Sequence, residues 1–364
     1  MRTSFAWLIA LLLCVGYAAA IGVADDEQAR VRQIIAGLRD REAKTANALK
    51  FSTIRSWSFR QTRDPGGGEP ESTLVGYMSV RQPELARSRW AQFREATRTP
   101  PAQWDPANLD WNEISSTSDM RVSPSEALML TQRCTEPGEL EQPALTTFEP
   151  FPFDGPHRYD APTSNPHMGY LGFIPGEIST ASEFLADPSV KTHLGERARI
   201  DGVECSKVTA KAKTGSYDLW VDDANRIRKI EVYRGAFDDY YGKPIWKFTL
   251  LGEESKREEP TEGERQTYLR EVHTYSDYRE IAPSVSLPHQ LDYSIERRDP
   301  DGEIHTSTGK ATIASLSIQD GPFPESETAL DVPEGTTVNR SPSDGVTREW
   351  HDGRITVVKP AEKR

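Results

Sequence analysis

The chain has 364 residues, a formal net charge of −12, a pI near 5.2 and a mean hydropathy of −0.64. Such acidity argues against nucleic acid, or anionic lipid headgroups, as partners drawn in by bulk electrostatics. After the N-terminus no apolar run approaches bilayer length, so no integral membrane segment is expected once that region is removed.

Arg2 precedes an apolar stretch from Phe5 to Val15 that is short for a bilayer span and runs into small residues. This is the anatomy of a signal peptide over residues 1–20, and it predicts a periplasmic or secreted protein. Ala18-Ala19-Ala20 offers cleavage after Ala20, and Gly22-Val23-Ala24 offers it after Ala24. Lipid attachment at Cys14 is not expected, because Leu13 stands where a small residue is wanted. The remaining thiols, Cys134 and Cys205, can form a disulfide in an oxidising compartment if their Cα atoms come within reach. They read equally well as two buried small hydrophobes.

Residues 25–50 are rich in Ala, Glu, Arg, Lys and Gln, with Val31, Ile34, Ile35, Leu38 and Leu49 spaced for one helical face. The polar face mixes both signs, so the helix is expected to cover a sheet and not to lie on a membrane. Residues 51–340 then read as a single β domain. Trp57 and Phe59 alternate with Ser58 and Arg60, Asp64 to Gly68 makes a turn, and Leu74 to Val80 returns. Ala86 to Thr97 reads as a third strand, with Trp90 on one face and Arg87, Arg89 and Phe93 on the other.

Residues 98–176 change character and are expected to form a loop-rich insertion folded over the sheet, with one strand-like stretch from Ala127 to Thr131. The insertion carries Trp104, Trp111, Phe151, Phe153, Tyr159 and Tyr170. Ala181 to Leu185 suggests a brief helix stopped by Asp187-Pro188. Strands follow at Gly202 to Lys213, Gly215 to Asp222 and Arg226 to Arg234, the last two joined by a turn at Asp223-Ala224-Asn225. A hairpin is expected from Ile245 to Leu251 and Arg265 to Tyr278, around a charged tip at Glu253 to Glu259. Leu291, Tyr293 and Ile295 mark a half-buried strand, and Asp299-Pro300-Asp301-Gly302 turns it into Glu303 to Ile313. Residues 341–364 read as a loosely held polar tail.

No catalytic constellation is visible. Asp222-Asp223 and Asp238-Asp239 are adjacent pairs whose side chains point apart on a strand, so they read as turn and surface residues. The histidines lack short-spaced pairs, and only His157 with His167 leaves a metal arrangement open. There is no nucleophile elbow, phosphate loop or dinucleotide fingerprint. No cofactor is expected. The residues that stand out are apolar: Trp57, Phe59, Met78, Trp90, Leu219, Val221, Ile230, Val232, Trp246 and Phe248, which either close into a core or line a concave cavity.

At Tyr217-Asp218-Leu219-Trp220-Val221-Asp222, with Arg228-Lys229-Ile230-Glu231-Val232, the chain resembles the outer-membrane lipoprotein-sorting family of LolA- and LolB-type carriers. Tyr278 to Ile281 with Leu287-Pro288, and Leu330 to Val338, are similar to that family's late strands. The resemblance spans roughly residues 202–338. It implies a mainly antiparallel β (α+β) fold: a curved sheet or incomplete β-barrel, with helices over an apolar cavity. It also implies a lipid or an acylated protein as partner. Burying acyl methylenes is worth about 0.8 kcal/mol each, so such a cavity needs no catalytic groups. The reading is therefore a non-enzymatic exported binding protein. An envelope sensor or scaffold of the same fold, and an extracellular hydrolase, are the alternatives.

Overall fold

A computed structural model describes residues 3–63, 71–82, 85–94, 110–123, 127–148, 172–177, 179–240, 243–247, 259–341 and 346–359. A long helix, α1 (Thr3–Ala48), leads into β1 (Ser52–Arg63), β2 (Glu71–Gln82), β3 (Leu85–Phe93), β4 (Ile114–Val122) and β5 (Ala127–Glu136). Short β6 (Glu139–Leu140) and β7 (Ala144–Phe148) follow, then α2 (Ala181–Ala186), β8 (Lys191–Leu194) and β9 (Ala198–Ile200). A meander of β10 (Val203–Ala212), β11 (Gly215–Asp222) and β12 (Ile227–Gly235) comes next. The ribbon β13 (Asp239–Tyr240) and β14 (Lys243–Pro244) and the helical turn α3 (Glu262–Arg265) precede β15 (Tyr268–Ala282), β16 (Val285–Arg298) and β17 (Ile304–Ile318). After α4 (Glu325–Thr328) the chain ends in β18 (Thr337–Ser341), β19 (Thr347–His351) and β20 (Arg354–Lys359).

Pairing makes one large, mostly antiparallel sheet that does not close. From one edge, β8 and β9 flank β10, and β11, β12, β15, β16 and β17 follow in order. β17 then pairs with β1, and the sheet continues through β2, β3, β4, β5 and β7. The parallel step β7–β18 leads to β19 and β20 at the far edge. Because β1 enters between the two halves, the central pairing joins segments far apart in sequence.

Opposed residues in antiparallel strands share a face, so the register assigns every side chain. On the helical face, Leu219, Ile230, Val232, Leu291 and Ala311 are fully buried beneath Val31 and Leu38 of α1 and Phe184 and Leu185 of α2. Each of the Leu, Ile and Val side chains contributes about 1.5–3 kcal/mol through burial. Gly309 of β17 is required there, since a Cβ would meet the Tyr293 ring and lie 2.6 Å from the Phe59 carbonyl oxygen. Beyond β1 the apolar packing breaks into smaller groups. Trp57, Leu74, Ala91, Phe93 and Ile114 form one on the opposite face, and Leu128, Leu145 and Val338 form another.

Three sequence expectations are corrected. Residues 98–176 are not merely a loop insertion: β4, β5 and β7 extend the main sheet, and Trp111 packs against the Trp57 group. The run Ser115 to Ser118 gives β4 no apolar alternation, so its pairing with β3 and β5 is a tertiary effect. Ile245 to Lys247 form a 3₁₀ turn, tied by Ile245 N–H to Asp238 O and Trp246 N–H to Ala236 O, instead of opening a strand. The C-terminal segment is a β-hairpin over Thr347–Lys359, and its Trp350 packs against the Leu128 group. Trp104, Phe151, Phe153, Tyr159, Tyr170, His157, His167 and the Glu253 to Glu258 tip lie outside the described residues.

Candidate functional site

α2 is short, and its position depends on caps. Thr180 and Glu183 make a reciprocal capping box, with the Thr180 N–H 2.9 Å from Glu183 Oε2. Glu42 of α1 adds a second acceptor at the same end. It takes hydrogen bonds from Thr180 Oγ1 at 2.9 Å, from the Ser182 N–H at 3.0 Å and from Ser182 Oγ. Burial raises the Glu42 carboxyl above its ordinary range, and these donors only partly oppose that shift.

Between α1, α2, the 173–177 loop and the β10–β11 turn lies an open cleft of about 990 Å³. Its apolar lining includes the buried rings of Phe173 and Phe184, with Val190 and Ala212. Exposed Arg39 and Lys213 stand at its rim. Glu177 also lines the cleft and connects it to a chain of buried charge.

That chain runs into the sheet. The Tyr217 hydroxyl donates to Glu177 and accepts from Thr214 Oγ1 at 2.8 Å, and Arg234 Nη2 reaches the Pro175 carbonyl at 2.8 Å. Arg234 Nη1 lies 2.7 Å from Glu271 Oε1, with neither side chain exposed at all. Burial by itself pushes Glu271 up, but His273, whose Nε2 is 3.5 Å from Oε2, and the Arg234 charge hold it below its ordinary range. Burial pushes the Tyr217 hydroxyl well up, so it stays protonated as a donor. Gly176 is fixed by the same network, because a Cβ there would collide with the Arg234 guanidinium. The arrangement anchors a loop and a short helix over a sheet.

The sequence candidates do not converge on one cavity. Trp57, Phe59 and Met78 pack with Phe93 on the face opposite α1, the Trp57 and Phe93 rings 5.6 Å apart. Trp90 lies on the other side of β3, against Met120 and Ala127. Leu219, Val221, Ile230 and Val232 belong to the sealed core beneath α1 and α2. Trp246 is buried in its 3₁₀ turn, and Phe248 lies outside the described residues. A common aromatic face was expected, but the register through β17 and β1 aligns Leu219 and Ile230 with Ser56 and Ser58, not with Trp57 and Phe59. Cys134 and Cys205 are buried and unbridged, in β5 and β10 of different halves of the sheet. Glu42, Phe173, Glu177 and Arg234 were not singled out from sequence. The only local signal near them was the cap Thr180-x-x-Glu183.

Among the described residues, no group of three or more His, Cys, Asp or Glu side chains is placed to hold a metal ion. Nor is any described helix long and apolar enough to cross a membrane.

No family model matches the sequence, and no curated protein matches it. Among solved structures the fold is similar to a domain described as an outer membrane lipoprotein-sorting protein from Vibrio parahaemolyticus. That likeness has 9% identity and a TM-score of 0.40, and covers 82% of this chain and 97% of that one. A DUF1329 family protein from Desulfovibrio piger is similar at 10% identity and a TM-score of 0.36, over 81% and 98% of the two chains. Likenesses of this degree carry no functional argument, which rests on the site itself.

Proposed function

We propose that this chain is an exported, non-enzymatic binding protein whose α1–α2 cleft takes the apolar chain of an amphiphile, such as a lipid or an acylated protein. The observation that carries the reading is the cleft itself: about 990 Å³, with buried aromatic rings in its lining and opposite charges around it. That size lies at the upper end of small-molecule sites, and the mixed lining suits a ligand with an apolar chain and a polar head. Export to the periplasm or beyond is supported by the Arg2 to Ala20 pattern. Cleavage after Ala24 would leave α1 starting with Asp25, Asp26 and Glu27, acids that favour a helix N-terminus. Contacts with the sheet edge begin there, where Glu27 accepts from the Leu194 N–H at 2.8 Å and Gln28 donates to the Thr192 carbonyl.

One observation favours a second reading, an envelope scaffold or sensor: the helical face is already filled, with Leu219, Ile230 and Val232 at 0% exposure. Native mass spectrometry of the mature protein from its own host, followed by organic extraction, separates the two. Co-purifying acylated species that vanish in a folded Phe173→Glu variant support the binding protein. A clean apo mass with no uptake of added lipid supports the scaffold.

A further inference from the structure

A second site stands apart from the cleft, where α1, the β11–β12 turn and the β15–β16 hairpin meet. Three guanidinium groups surround the Tyr278 ring: Arg41 at 5.6 Å from its centroid, Arg226 at 5.2 Å and Arg228 at 4.6 Å. Arg41 comes from α1 and donates to the Ser286 carbonyl. Arg226 and Arg228 come from the turn and the start of β12, and both direct Nε at the same oxygen, Asp222 Oδ2, at 2.7 and 2.8 Å. The other oxygen of Asp222 is taken by the backbone N–H groups of Ala224 and Arg226, at 3.0 and 2.9 Å. The nearby Asp223 is largely exposed and pairs outward with Arg197.

The charge does not balance. Three permanent cations face one buried carboxylate, whose side chain is 2% exposed and whose acceptors are used. Because Arg226 and Arg228 spend their Nε groups on Asp222, their Nη forks have no acceptor among the described residues. Those forks are the donors that match a tetrahedral oxyanion bidentately. Arg41 shares the Tyr278 ring with them, and burial together with the Arg226 and Arg228 charges depresses its own guanidinium. Cation–π contact with Tyr278 holds the three groups at the ring without neutralising them.

We propose that Arg41, Arg226 and Arg228, arrayed about Tyr278, form a binding site for a phosphate group, with two uncompensated charges that match a phosphate dianion. The site is independent of the amphiphile reading of the cleft. Its ligand is a phosphomonoester carried either on a soluble molecule or on a lipid headgroup. Because the whole chain carries −12, binding there is local and works against the net field.

The test uses the full chain, with inorganic phosphate titrated calorimetrically at fixed ionic strength against chloride. It also uses vesicles of phosphatidylcholine with and without phosphatidic acid. Phosphate is expected to bind the wild type and to bind Arg226→Gln at least tenfold more weakly, in protein whose circular dichroism is unchanged. Should that variant fold poorly, Arg226→Lys keeps the charge without the fork and is expected to lose a smaller factor. Binding to phosphatidic acid vesicles that inorganic phosphate displaces identifies a lipid source; phosphate binding without vesicle binding identifies a soluble one. Phosphate no better than chloride, or equal affinity in folded wild type and Arg226→Gln, overturns the proposal and leaves the cluster as a clamp for α1.

Discussion

The two halves of the sheet are built differently. From β10 to β17 one continuous core lies between the strands and the α1 and α2 helices. From β1 to β5 and on to β20, apolar residues gather in small, separate groups on both faces, and the helical face carries Ser56, Ser58, Ser79, Ser88 and Ser118. The edges repeat the contrast. At β8 the helix residues Glu27 and Gln28 satisfy backbone groups, whereas among the described residues β20 pairs only with β19, and it exposes Ile355, Val357 and Val358. Covering helices give one half its cooperativity, and the other half depends on strand pairing, which alone leaves segments free to open locally.

The largest test of this contrast compares two arginine–carboxylate pairs. In Arg234–Glu271 both side chains are 0% exposed, whereas in Arg87–Asp119 the carboxylate is 21% exposed and is shared with Arg89. Arg234→Ala strands a buried carboxylate and is expected to cost about 3–5 kcal/mol in chemical denaturation. Arg87→Ala leaves Asp119 another partner and water, and about 1–3 kcal/mol is expected. Replacing both buried partners, as Arg234→Met with Glu271→Leu, is expected to restore much of the loss. Equal costs for the two single variants would contradict the division into a sealed and an open half.

Large-to-small changes sharpen it further. Leu219→Ala, beneath α1, is expected to cost about 2–5 kcal/mol and to speed amide exchange throughout β10 to β17. Trp350→Ala is expected to leave those amides unchanged while β18, β19 and β20 exchange faster. Global acceleration in the Trp350 variant would show that the halves unfold as one unit.

The sealed half was also the legible one. Residues 203–235 alternate apolar and polar side chains between clear turns, and the observed β10, β11 and β12 lie within a residue of the segments expected. The open half was legible only in part. β1 and β2 follow Trp57, Phe59 and Leu74, but β4 carries the unbroken run Ser115 to Ser118, so its strand character comes from its neighbours. The terminal hairpin did carry a signal. Asp352 and Gly353 both have positive φ, 51° and 74°, in a two-residue Asp-Gly turn flanked by Trp350 and Ile355. The polar composition around that turn masked it. The cleft had no signature, because Glu42 and Thr180, like Arg234 and Glu271, come together across long sequence separations. The face shared by distant strands was equally hidden, since it depends on β1 inserting beside β17.

The smallest predicted effect concerns the open edge and follows from pH. His351 Nδ1 lies 2.7 Å from Glu334 and Nε2 2.9 Å from Glu349, joining the 333–335 turn to the last hairpin. The hydrogen bonds it donates to Glu349 and Glu334 raise its pKa above the ordinary 6.5. The imidazolium therefore stabilises the hairpin fully below the unfolded value, and that contribution fades as pH rises through the higher folded value. Protection factors of the β19 and β20 amides, corrected for intrinsic exchange, should fall across that window, while those of β10 to β12 stay level. His351→Gln should flatten the profile. An identical fall in His351→Gln would remove the histidine from the explanation.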